Sequence, residues 1–230
     1  MRKAFTEELQ FISDQLVELT RLSSSALQQA TEALMEADLE KAESVISADE
    51  HIDAVRRNLD TRAVDALARQ QPVATDLRML VTSMRMSADL ERMGDLARHV
   101  AKLSRLRYPE QVLPLQLRPT FARMAEVAED LVTEAGRIIK TTDVDAVARL
   151  HITDDEMDEL HRDVFRTLLS DEWEGGAQAT IDATLLSRYY ERFGDHAVSI
   201  AQRVVYLVTG EWSQDAIEID ERLEVTEVRH

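Results

Sequence analysis

One block of this chain occurs twice. Glu91-Arg92-Met93-Gly94-Asp95 returns as Glu191-Arg192-Phe193-Gly194-Asp195, and the likeness continues through Ala97/Ala197, Val100/Ile200 and Ala101/Ala201 at an offset of 100 positions. Upstream the offset is 105, aligning Asp38/Asp143, Ala42/Val147, Val45/Leu150, Asp49/Asp154, Ile52/Met157 and Asp53/Asp158. The difference falls in the turn around Gln71-Pro72, where changes of length are tolerated. An internal duplication is the strongest constraint here. Two copies are too few for a solenoid and fit two packed bundles instead.

Each copy reads as three helices. Helical periodicity runs from Phe5 to about Ala37, from an Asp38 cap to about Ala68, and from Thr75 to Arg107. Gln71 precedes Pro72 and Tyr108 precedes Pro109, so both mark boundaries. The second copy repeats the order: Thr120 to Lys140, a helix capped by Thr142 or Asp143 reaching Ser170, then a Gly175-Gly176 turn and a helix stopped by Gly210. The expectation is an all-α protein of two tandem three-helix bundles. Its parts are 1–108, a proline-rich linker at 109–119, 120–210, and an acidic, loosely held tail at 211–230 with weak β-like alternation.

Composition narrows function. Only 6 Gly and 4 Pro occur in 230 residues, which disfavours all-β folds and glycine-rich nucleotide loops. Cysteine is absent, so disulfides, thiolate metal sites and a cysteine nucleophile are excluded. The net charge is −17, most of it in the second half. Phosphate neutralisation supplies most duplex-DNA affinity, so direct nucleic-acid binding is disfavoured. Glu7 and Glu8 stand where a signal peptide needs its apolar core, and no apolar run approaches a membrane span, so a cytoplasmic protein is expected.

At 100° per residue, Leu186, Tyr190, Phe193, Ala197 and Ile200 form one stripe, matched by Met86, Leu90, Met93, Ala97 and Val100. Glu91 with Asp95, and Glu191 with Asp195, lie about 160° from those stripes and read as lying outside the core. Asp49/Asp53 and Asp154/Asp158 lie on the flank, about 90° off, where they can face a neighbouring helix. Acidic i, i+4 pairs alone mean little: with 44 acids in 230 residues, chance supplies about eight. Repetition at aligned positions, beside a mid-helix glycine, raises their weight. Gly94 and Gly194 each cost about 1 kcal/mol relative to Ala, which points to a close approach. Arg92 and Arg192 adjoin the pairs and offer partial compensation. Carboxylate-only sites suit hard cations. The histidines are not repeated, and each reads first as surface or packing; His196, beside Asp195, is the best supplementary ligand among them.

At these residues the chain resembles the PhoU family. The motifs are Asp49-xxx-Asp53, Glu91-xxx-Asp95, Asp154-xxx-Asp158 and Glu191-xxx-Asp195, with Arg69-Gln-Gln-Pro-Val-Ala-Thr-Asp-Leu-Arg78 leading into the first repeat's third helix. The resemblance covers residues 1–210. It implies a six-helix, two-bundle protein, often a homodimer, binding a multinuclear metal cluster through those eight carboxylates, commonly iron, with zinc, manganese or magnesium as alternatives. It also implies a non-enzymatic regulator that restrains phosphate uptake and phosphate-starvation signalling. The implied partners are a phosphate-sensing histidine kinase and the ATPase subunit of a phosphate ABC transporter, with membrane contact only through them. The weaker acidity of the first repeat points to weaker binding there.

Two other readings compete. A ferritin-like di-iron oxidoreductase needs inward Glu and Glu-x-x-His pairs. Only Glu227-x-x-His230 in the tail has that form, and Asp158-x-x-His161 carries the wrong acid. A metal-free helical scaffold would leave the acids as solvated surface. Ser23-Ser24-Ser25 lacks a repeated His partner and reads as packing or surface rather than as a nucleophile.

Overall fold

The computed structural model describes residues 2–212. Six helices account for most of it: α1 (Arg2–Glu36), α2 (Leu39–Gln70), α3 (Ala74–Arg107), α4 (Arg118–Thr141), α5 (Val147–Leu168) and α6 (Gly176–Thr209). No strand occurs among the described residues. The tail from Ser213 onward, where a weak β-like alternation was expected, lies outside them.

The punctuation acts chemically as the sequence suggests. Asp38 accepts the Lys41 N–H at 3.0 Å and opens α2. Gln71 closes α2 in the left-handed region (φ 46°), its N–H bonded to Leu67 O. Gly210 closes α6 the same way (φ 81°), donating to Tyr206 O at 2.8 Å. One boundary differs from the sequence expectation. After Asp143 the chain makes a 3₁₀ turn, Val144–Ala146, before α5 begins. The proline-rich segment is also packed: Val112, Leu113 and Leu117 are buried.

α2, α3, α6 and α5 lie side by side, with α1 over α2 and α3 and α4 over α5 and α6. The repeats join through α1 against α4 and α3 against α6, so one core runs through both. Both expected stripes are buried throughout, from Met86 to Val100 and from Leu186 to Ile200. Their removal from water is the main favourable term in folding. Ser23 and Ser104 pin α1 to α3, donating to Leu90 O and Ala33 O, each at 2.9 Å. Thr31 and Tyr190 share a buried hydroxyl bond of 2.6 Å between α1 and α6.

The α3–α6 contact carries the symmetry of the duplication. Asp89 meets Ser199 (3.5 Å) on one side of the glycines, and Tyr189 meets His99 (ring centroids 5.3 Å) on the other. Positions 89/189 and 99/199 are repeat equivalents, so one contact is made twice about a pseudo-two-fold axis between antiparallel helices.

Candidate functional site

Both glycines mark close helix contacts. A Cβ on Gly94 would stand 2.9 Å from Ile52 Cδ1 and 3.5 Å from Asp49 Oδ1; one on Gly194 would stand 3.1 Å from Leu131 Cδ1 and 3.2 Å from Asp154 Oδ1. Asp49 and Asp154 are equivalent residues, so each glycine lets the carboxylate of the preceding helix approach the backbone. This sets the eight acids into two clusters, one between α2 and α3 and one between α5 and α6.

In the first cluster every carboxylate has a guanidinium beside it. Arg98 bridges Asp49 (2.5 Å) and Asp95, Arg92 lies 3.4 Å from Asp95, Arg56 lies 3.4 Å from Glu91, and Arg57 lies 3.6 Å from Asp53. Asp49 is buried, and burial pushes its carboxyl up. Arg98 opposes that rise, while Asp95 and Asp53 add to it. Glu91 is pushed up in the same way, by burial and then by Asp95.

The second cluster is deeper. Asp195 is buried and Glu191 nearly so, whereas Asp154 and Asp158 are half-buried. Burial, then the charges of Asp195 and Asp158, push Glu191 up to about 7 against the pull of Arg188. Burial raises Asp195 as well. Arg188 pairs with Glu191 Oε1, while Glu191 Oε2 is buried and accepts no hydrogen bond.

These positions correct the expectation that the pairs on α3 and α6 lie outside the core. They do point away from the stripes facing α1 and α4. Yet α3 and α6 are flanked on both sides by other helices, so the face opposite the stripe sinks into the next groove. The flank placement of Asp49 and Asp154 holds. His196 turns away from Asp195's cluster mates and bonds Asp89 through Nδ1 at 3.1 Å.

Sequence reasoning missed the arginines at 98 and 188, because Val198 and Ala88 stand at the equivalent positions and repetition was the filter. It missed a buried network too. Asp89 accepts from His196 and, at 2.8 Å, from Arg203 Nε, with all three side chains buried. Burial alone would raise the Asp89 carboxyl; its bonds to His196 and Arg203 more than offset that and hold it below the usual range. The signal was an acid and a base on the two faces that α3 and α6 turn to each other, legible only once the repeats are docked.

The donors are of the kind hard cations take, oxygen only and carried by neighbouring helices, with one buried oxygen lacking a hydrogen-bond partner. As they stand, no three Asp, Glu or His groups among the described residues are close enough to hold one ion, since arginines sit among the carboxylates.

A sequence model of the PhoU domain matches residues 16–104 and again 121–204. The chain belongs to the PhoU family. Among PhoU relatives, the phosphate-specific transport system accessory protein PhoU homolog 2 of Mycobacterium tuberculosis is 44% identical over 210 residues, covering 91% of this chain and 99% of the relative. Homolog 1 of Mycobacterium leprae is 43% identical over 215 residues, covering 94% and 97%. The crystal structure of PhoU from Pseudomonas aeruginosa superposes with a TM-score of 0.82 at 28% identity, covering 90% of this chain and all of that one. PhoU from Streptococcus pneumoniae shares the fold, with a TM-score of 0.80 at 24% identity over 91% of this chain and 99% of that one. Both the PhoU domain matched twice and the paired clusters follow from the same duplication.

Proposed function

We propose that this chain is a phosphate-transport accessory protein that restrains phosphate uptake and phosphate-starvation signalling, acting by contact rather than by catalysis. Relatives that match almost end to end carry the name of phosphate-specific transport accessory protein, which supports the reading. No helix among the described residues is long and apolar enough to cross a membrane. The proposed partners are the transporter's ATPase subunit and a phosphate-sensing histidine kinase, in the cytoplasm, with the chain as a homodimer. In cells lacking this chain, phosphate uptake and a starvation reporter should stay high in phosphate-rich medium and fall when it is restored. Unchanged uptake on deletion sinks this function.

Metal binding by Asp49, Asp53, Glu91, Asp95, Asp154, Asp158, Glu191 and Asp195 belongs to the same proposal, with iron first and zinc, manganese or magnesium as alternatives. The observation that carries it is the Glu191 carboxylate, buried among acids with one oxygen unsatisfied. Bound cations would take the place of the arginines beside these acids and satisfy the buried Glu191 oxygen. A second reading has its own support: the guanidinium beside each first-cluster acid suits a metal-free, salt-bridged scaffold. Equilibrium dialysis against Fe³⁺, Mn²⁺ and Zn²⁺ separates them. Stoichiometric uptake lost in Glu191→Ala with Asp195→Ala supports the metal reading, and no uptake supports the scaffold.

A further inference from the structure

We infer that Leu106, Ile181 and Leu185 form a docking platform for another protein, one that presents a bulky aromatic or aliphatic side chain beside an acid. The platform lies where the end of α3 meets the start of α6, and these three side chains are 67%, 58% and 42% exposed. Large apolar side chains gathered on two adjoining helices and left in water mark an interaction surface. The inference goes beyond the accessory role and stands whether or not the chain restrains phosphate uptake.

The molecule carries its own example of the contact. At the end of α6, Trp212 stacks on Tyr206 (centroids 4.3 Å apart), and the Arg85 guanidinium of α3 lies 5.9 Å from its ring. The pseudo-two-fold axis repeats that place at the opposite ends of the same two helices. There Leu106 stands for Tyr206, Leu185 for Arg85 and Ile181 for Val81, each at the offset of 100 positions. Arg107 sets the register, gripping the buried Asp182 at 2.7 and 2.9 Å. One platform is covered by an indole, and its counterpart is open.

The path of the chain explains the difference. After α6, Gly210 takes the left-handed region (φ 81°) and Trp212 returns over Tyr206. After α3, the position equivalent to Trp212 is Val112, which the linker buries in the core together with Leu113 and Leu117. Val112 therefore fills the interior and leaves Leu106 in water. The cover that one platform takes from its own chain, the other takes from outside.

Side-chain chemistry selects the occupant. Around Trp212 stand the guanidiniums of Arg85 and Arg203, at 5.9 and 6.0 Å from its ring. At the counterpart both positions are leucines, Leu185 and Leu103, so an anchor there is held by apolar burial rather than by cation–π attraction. Charge enters from one side. Lys102, exposed and one turn before Leu106, forms no ion pair among the described residues, and its equivalent is the neutral Gln202. An acid beside the anchor finds its counter-charge there, which fixes the orientation of the partner.

Methyl NMR of the full chain tests the inference, with the peptide acetyl-Glu-Trp-Glu-amide as probe. The methyl signals of Leu106, Ile181 and Leu185 should move together as the indole ring settles over them. The peptide acetyl-Lys-Trp-Lys-amide should bind about threefold more weakly, because it meets Lys102 with like charge. Ile181→Asp with Leu185→Asp should weaken the first peptide about tenfold. Both side chains stand largely in water, so the variant keeps its fold, which unchanged helicity checks; Leu106→Ser is a second variant with the same expected direction. No movement of the three signals overturns the inference. So do equal shifts at Leu169, an exposed leucine at the end of α5, and equal affinity for the two peptides. Signals that move with protein concentration before any peptide is added, and stop doing so in the double variant, make a second copy the occupant and overturn the assignment to another protein.

Discussion

The two repeats share a frame but not an interior. In the second, Leu131 from α4 reaches within 3.1 Å of the place a Gly194 Cβ would take. In the first, Ala26 stands at the equivalent position, and a groove of about 130 Å³ opens between α1 and α2, bordered by Asp49 and Gly94. The acids differ in depth as well. The second repeat buries Asp195 and pushes Glu191 up to about 7 beside Arg188, while the first buries Asp49 against Arg98. The two repeats thus bury different members of the same acidic quartet, Asp49 in the first and Asp195 in the second.

The difference can be broken at the joint between the repeats. Asp89 is a buried anion whose equivalent is Tyr189, and it holds the buried Arg203 and His196 of the other repeat. Asp89→Ala leaves a buried guanidinium short of its carboxylate and should cost about 3–5 kcal/mol. Urea unfolding measures it, and a loss under about 1 kcal/mol would show that the network does not tie the repeats together.

A smaller break lies inside the second repeat. Leu131→Ala should recreate the groove of the first, at about 2–4 kcal/mol from lost burial plus a cavity. With that space opened to water, the Glu191 carboxyl should also fall back toward the usual range, which carboxyl NMR titration would follow.

The acids themselves predict a pH dependence for the metal-free chain. A carboxyl whose pKa rises on folding binds its proton more tightly in the folded state, so stability is greater when it is protonated. Stability should therefore fall as pH climbs from about 4.5 through about 7, by roughly 2 kcal/mol from Glu191. In Glu191→Gln that decline should shrink, and the variant should unfold at a higher temperature than the parent at pH 8. Thermal melts at pH 5 and pH 8 decide it; an unchanged slope removes Glu191 as its source.

The smallest effect sharpens the comparison. Ala26→Leu should fill the first repeat's groove and gain up to about 1 kcal/mol, since added methylenes help only where room exists. A destabilised variant would mean that the groove is closed to a branched side chain.

Much of this was legible before any coordinates. Asp38, Gln71 and Gly210 terminate helices through bonds between near neighbours, and the core stripes follow from local periodicity. The eight acids were found by repetition, and the groups at 49 and 154 face α3 and α6 as their flank positions require. What escaped was unrepeated or depended on docking: Arg98, Arg188, and the Asp89 network.

Sequence alone determined six helices, most of their ends, the duplication and the identity of the acidic motifs, because each rests on contacts within a turn or on comparison of the chain with itself. Only the tertiary structure decided how deep those acids lie. Burial depends on which helix occupies the next groove, and a carboxylate's affinity for protons or cations depends on the water and counter-charges that this neighbour excludes or brings.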